Sequence, residues 1–144
     1  MFDLDERLKN DTVVIADSVL CRILLMNDSR YPWLILVPRI ASVSEVFELT
    51  AVQQQQLWQE ASDVGRVLKS EFQADKMNIA TLGNVVKQLH MHVVVRMQED
   101  AAWPAPVWGN GAAQPYSENA KSQMCARMRA AIAQIDLIKT EVDL

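Results

Sequence analysis

Two short apolar runs, Val19 to Met26 (VLCRILLM) and Trp33 to Val37 (WLILV), are separated only by Asn27-Asp28-Ser29-Arg30-Tyr31-Pro32. Runs of this length, rich in Leu, Ile and Val and bounded by Asn, Asp, Ser and Pro, read as buried strands joined through a turn. So brief a connection has no room for a helical crossover, which makes the two strands antiparallel. Pro38 closes the second of them. A shorter strand is expected at residues 12 to 16 (TVVIA). A second extended pair is expected at Met77 to Leu82 and Val85 to Val95, joined through Gly83-Asn84. Strands that come as hairpins, rather than alternating with helices, predict an antiparallel sheet with helices on one face, an α+β fold.

The period changes at Thr50. The stretch Thr50-Ala51-Val52-Gln53 offers a capping box, and Leu57, Ala61, Val64 and Leu68 follow at helical spacing to about Phe72. The run Gln53 to Gln56 falls on the wet face of that helix. Residues 97 to 115, rich in Pro, Gly and Trp, read as a loop. A last helix is expected over about 117 to 136, with Met124, Met128, Ala131, Ile132 and Ile135 on its core side. No internal repeat or low-complexity linker interrupts the chain.

With 144 residues, half of them hydrophobic and 22% charged, residues 1–144 are expected to form one domain able to bury a core without disulfides or a structural metal. No apolar run approaches the length of a membrane span, and the N-terminus, MFDLDER, is acidic where a secretion signal would be basic. A cytoplasmic location without membrane attachment is the expectation. Cys21 and Cys125 lie far apart and outside any CxxC pattern, so both read as small buried hydrophobes. A net charge of −4 argues against a nonspecific nucleic-acid surface, which needs clustered Lys and Arg. A small phosphorylated ligand remains compatible, because backbone N–H groups and neutral donors can hold a phosphate.

The only two histidines, His90 and His92, stand two residues apart in Lys87 to Arg96, KQLHMHVVVR. On a strand, the period of two places Gln88, His90 and His92 on one face and Leu89, Met91 and Val93 on the other. A lone histidine there would read as a partly exposed polar residue. The whole histidine supply in one such pair, close to Gly83-Asn84, points instead to a site. Zinc is the rival reading, but further ligands would be needed and only Glu99 and Asp100 are near in sequence, so no metal is assigned.

The run resembles the signature of the histidine-triad (HIT) family, His-φ-His-φ-His-φ-φ with φ apolar. Gln88-Leu89-His90-Met91-His92-Val93-Val94 fits it at every position except the first, where Gln88 stands for histidine. Asn78, the pair Gly83-Asn84, and the hairpin from Arg22 to Arg39 ending in Pro and a basic residue extend the likeness over about residues 20 to 96. Trp33 occupies a strand position at which family members often carry another histidine. Residues from 97 onward, including Trp103 and Trp108, match nothing general to the family, which suggests a bacterial branch with a Gln-x-His-x-His variant. Both tryptophans read first as loop packing, with base stacking as the alternative.

The resemblance implies a five-stranded antiparallel sheet with two main helices, usually paired as a homodimer. It implies nucleotide hydrolysis or nucleotidyl transfer at the α-phosphate of a purine nucleotide conjugate, such as a dinucleoside polyphosphate or phosphoramidate. His90 would be the nucleophile, forming a covalent nucleotidyl-histidine. Its δ nitrogen proton would be held by a nearby backbone carbonyl, an acceptor that the exchange of histidine for Gln88 would not remove. His92 would donate to a nonbridging oxygen, and Gln88 would orient its neighbours. Asn84 and Gly83 would meet the phosphates, Asn27 the ribose, and Asn78 would complete the substrate-binding set. No cofactor is required, although a divalent cation can accompany the substrate phosphates. The alternative is a nucleotide-binding protein with little catalytic activity.

Overall fold

The computed structural model describes residues 1–135. Helix α1 (Glu6–Asp11) leads into strands β1 (Thr12–Asp17), β2 (Cys21–Met26) and β3 (Trp33–Pro38). A 3-10 turn at Val46–Glu48 precedes helix α2 (Ala51–Glu71), followed by β4 (Lys76–Ala80), β5 (Met91–Arg96) and helix α3 (Glu118–Ile132). The strands form one antiparallel sheet in the order β1-β2-β3-β5-β4. Helix α3 is capped by Ser117 and ends earlier than expected, and position 136 lies outside the described residues. No helix among the described residues is long and apolar enough to cross a membrane.

Alternation along the strands builds two cores. On one face Ile23, Leu25, Leu34, Leu36, Met91, Val93 and Val95 pack with Leu57, Ala61, Val64 and Leu68 of α2 and with Met128, Ala131 and Ile132 of α3. Thr50 caps α2 through the expected box, its hydroxyl accepting from the Gln53 N–H. The α2 carboxylate of Glu60 is fully buried and reaches the β1–β2 turn, where it accepts from the Ser18 hydroxyl and the N–H groups of Leu20 and Cys21.

The opposite face is where sequence reasoning needs correction. It carries a second apolar cluster, in which Leu24, Trp33, Ile35, Val37 and Val94 meet Leu4 and Leu8 from the N-terminus and Ala102 and Val107 from the 97–115 loop. All six residues of β3 are therefore buried, as a continuous apolar run with both faces covered should be. Helix α1 was not anticipated, because six residues carry too little periodicity to register. Nor is Val85 to Val95 one strand. β5 begins at Met91, and 85–90 is an irregular segment whose path is set by contacts with the N-terminus and the β3–α2 connection.

Candidate functional site

β3 and β5 are neighbours, with Ile35 opposite His92 and Trp33 opposite Val94. Trp33 and His92 are thus diagonal neighbours on the second face, within reach of aromatic side chains. His90 immediately precedes β5, held there by the Leu89 N–H bonded to the Val43 carbonyl. Both histidines are nearly buried, His90 at 4% and His92 at 6% exposure, with ring centroids 4.9 Å apart in an edge-on arrangement.

They line a cavity of about 460 Å³. Leu8, Met26, Trp33, Ile35 and Trp108 make its apolar wall, Asn84, Val85 and Val86 close it from the β4–β5 loop, and Arg7 and Asp11 of α1 supply its charges. A second cavity of about 410 Å³ shares His90 and Asn84 with the first and is polar, lined by Ser44, Thr81, Gly83, Lys87 and Gln88 among others. An apolar cleft with a few convergent polar groups is the usual form of a small-molecule site.

The two imidazoles have fixed and opposite tautomers. His90 Nδ1 lies 2.6 Å from the Gln88 carbonyl oxygen, which can only accept, so Nδ1 is the donor and the neutral ring has its lone pair on Nε2. His92 Nδ1 accepts from Trp33 Nε1–H at 3.0 Å, so its proton sits on Nε2. Burial pushes the His92 pKa down to about 3 with help from neighbouring His90, against an opposing pull from the Leu82 backbone. In its neutral form the His90 ring thus directs its lone pair through Nε2, as a nucleophile must, and His92 is a neutral donor.

Gln88 behaves differently from the expected face-sharing residue. Its side chain turns to the N-terminal segment, accepting from the Asp5 N–H at 2.8 Å and donating to the Asp3 carbonyl at 2.9 Å. Its backbone carbonyl is the group that hydrogen-bonds His90. The reason is that residues 85–90 are not a strand, so the period-two rule does not reach position 88. Asn84 lines both cavities and Gly83 the polar one. Asn27 and Asn78 are not among the residues lining either. The Asn27 side chain accepts from the Tyr116 N–H at 3.0 Å, and Asn78 accepts from Arg96 at 2.7 Å.

Arg96 organises the 97–115 loop. Its guanidinium, 2% exposed, is paired with Asp100 at 2.8 Å, donates to the Ala105 carbonyl, and lies against the rings of Tyr31 and Trp103. Asp100 in turn accepts from the N–H groups of Met97, Ala102 and Trp103. Trp103 is packing, as expected, whereas Trp108 is delivered to the cavity wall with its ring centroid 5.1 Å from that of His92. Asp100, weighed above as a metal ligand, is engaged by Arg96. Among the described residues no three His, Cys, Asp or Glu side chains cluster as a metal site. Sequence reasoning missed Arg7, Leu8 and Asp11, whose helix was too short to read, and gave Trp33 no partner.

A HIT domain model matches residues 7–99. Solved structures of histidine triad proteins are similar over nearly their whole length. The protein from Sinorhizobium meliloti 1021 is 47% identical, with 91% of this chain and 97% of that one covered at a TM-score of 0.88. The protein from Marinobacter aquaeolei VT8 is 46% identical, with 94% and 98% covered at 0.90. The protein from Bradyrhizobium japonicum is 44% identical, with 91% and 98% covered at 0.87. A comparison with curated proteins gave no match. The match over residues 7–99, joined to the antiparallel sheet and the paired histidines at the start of β5, makes this chain a member of the HIT domain family.

Proposed function

We propose that the protein is a nucleotide phosphohydrolase or nucleotidyl transferase that acts at the α-phosphate of a purine nucleotide conjugate through a covalent nucleotidyl-His90 intermediate. The observation that carries this reading is the 2.6 Å contact between His90 Nδ1 and the Gln88 carbonyl, which makes Nε2 the lone-pair nitrogen of the neutral ring in a residue that lines the cavity. The apolar wall formed by Met26, Ile35 and Trp108 suits a nucleobase and sugar, and Asn84 at the junction with the polar cavity suits the phosphates. His92 Nε2–H suits donation to a phosphoryl oxygen as charge develops there. No cofactor enters the scheme, and a divalent cation can travel with the substrate phosphates.

The same reading places the protein in the cytoplasm, in a bacterial branch defined by glutamine at the first motif position, and in a homodimer. Exposed Trp58 and Val52 on α2 are suited to burial against a second copy. One rival reading is a nucleotide-binding protein with little activity, in which the missing first histidine matters. Incubation with dinucleoside polyphosphates and nucleoside phosphoramidates, with AMP release measured, separates the two. Release that disappears in His90→Ala supports the enzyme, and tight nucleotide binding without release supports the binder.

A further inference from the structure

We propose that Trp33 is a positioning residue that holds His92 as a neutral Nε2–H donor, and that the site therefore favours substrates whose leaving group departs as a phosphate or polyphosphate oxyanion over those whose leaving group is an amine. The substrate half rests on the nucleotidyl-transfer reading above. The Trp33 half does not.

An indole nitrogen can only donate. With Trp33 Nε1 at 3.0 Å, His92 Nδ1 must present its lone pair, and an imidazolium, with N–H groups at both ring positions, would aim one proton at another. Trp33 has little room to yield. It is 5% exposed and wedged edge-on between Tyr31, at 6.4 Å between centroids, and Trp108, at 6.1 Å. The charged or titratable groups around His92 are His90 beside it and Arg7 and Asp11 across the cavity, with Lys87 and Glu45 lining the adjoining polar cavity. Burial and His90 also disfavour the charged ring.

The consequence is chemical. As His90 Nε2 bonds to the α-phosphorus, the bond to the leaving oxygen breaks and its electron pair departs on that oxygen, which needs no proton when it belongs to a phosphate. Water then bonds to phosphorus, the N–P pair returns to Nε2, and a water proton passes to solvent. An amine leaving group must instead be protonated on nitrogen as its bond to phosphorus breaks. A neutral imidazole, the amide of Gln88 and a guanidinium are all poor proton donors near neutral pH.

Ring-nitrogen NMR of the uniformly ¹⁵N-labelled protein from pH 5 to 8 tests the first half. His92 is expected as the Nε2–H tautomer throughout, and a protonated Nδ1 or an imidazolium at pH 6 would overturn the assignment. In Trp33→Phe the ring should begin to titrate or mix tautomers, and an unchanged His92 spectrum there would remove the role of Trp33. AMP release tests the second half. Diadenosine tetraphosphate should be preferred over adenosine 5′-phosphoramidate by roughly a hundredfold or more, the scale of a missing general acid, and the gap should narrow in Trp33→Phe at pH 5.5. Equal rates would sink the substrate half. Release from neither compound would refute the nucleotidyl-transfer reading and the substrate half with it, while the spectra would still decide the Trp33 claim.

Discussion

The Nδ1 of His90 lies 2.6 Å from the carbonyl oxygen of Gln88, while the Gln88 side chain points to Asp3 and Asp5. The group of residue 88 that hydrogen-bonds His90 is therefore common to every amino acid. Gln88→His should change the rate of AMP release by roughly tenfold or less, whereas His90→Ala should cost several powers of ten. Single-turnover assays with a quench that avoids acid, followed by mass spectrometry, should find the nucleotide on His90 in the Gln88 variant as in the natural protein. If Gln88→His converted an undetectable rate into a fast one, the natural protein would be a binder rather than an enzyme.

Glu60 anchors α2 to the β1–β2 turn without entering the cavity. Its carboxylate is fully buried, and it accepts from Ser18, two backbone N–H groups and the Gln56 side chain. Glu60→Ala strands those donors, each at a desolvation cost of about 1–3 kcal/mol, so a loss of at least about 2 kcal/mol is expected. Urea denaturation followed by circular dichroism should show it. A change within about 0.5 kcal/mol, the range of ordinary surface substitutions, would mean that the turn finds other acceptors.

Arg96 and Asp100 hold Trp108 against His92 at one remove. Removing the carboxylate in Asp100→Ala leaves a buried guanidinium without its partner, at a cost of about 3–5 kcal/mol if the loop stays in place. Release of the loop is the cheaper response. Limited proteolysis should then cut between residues 98 and 111 in the variant and spare the natural protein, and nucleotide affinity should fall as Trp108 leaves the wall. Equal resistance to protease in the two proteins would show that the loop has other sufficient anchors.

What the sequence made legible follows from how far each interaction reaches. Leu57, Ala61, Val64 and Leu68 declare α2 because their periodicity is local, and the two apolar runs flanking Asn27 to Pro32 declare a hairpin because a short turn leaves one choice. His90 and His92 were found by the same local pattern, and Leu89, Met91 and Val93 do face the helix side. Gln88 engages the N-terminal segment because strand geometry stops at Met91, and nothing between Val85 and His90 announces that break. Trp33 and Trp108 reach His92 across 59 and 16 residues of chain, through strand pairing and the Arg96 anchor, which no window of sequence contains. Asn27 and Asn78 were chosen by likeness of position, and their carbonyl oxygens are spent on Tyr116 and Arg96.

The His92 environment fixes how stability should vary with pH. Burial, followed by the proximity of His90, lowers its pKa from the ordinary 6.5 to about 3 in the folded protein. Between those values the unfolded chain holds one proton more than the folded chain at this residue. The His92 contribution is thus complete above pH 6.5 and shrinks as pH falls toward 3, by at most about 1.4 kcal/mol per unit. Asp28 and Asp100 act in a lower window. Burial raises each, but hydrogen bonds from Arg30 and Arg96 and from backbone N–H groups outweigh it and leave both below the ordinary carboxylate value, so their contributions are lost only in stronger acid. Comparing His92→Asn with the natural protein isolates the histidine. Unfolding free energies from urea denaturation at pH 8 to 4 should fall more steeply below 6.5 in the natural protein, by about 1 kcal/mol per pH unit. Parallel curves would mean that His92 takes up its proton inside the fold and that Trp33 gives way.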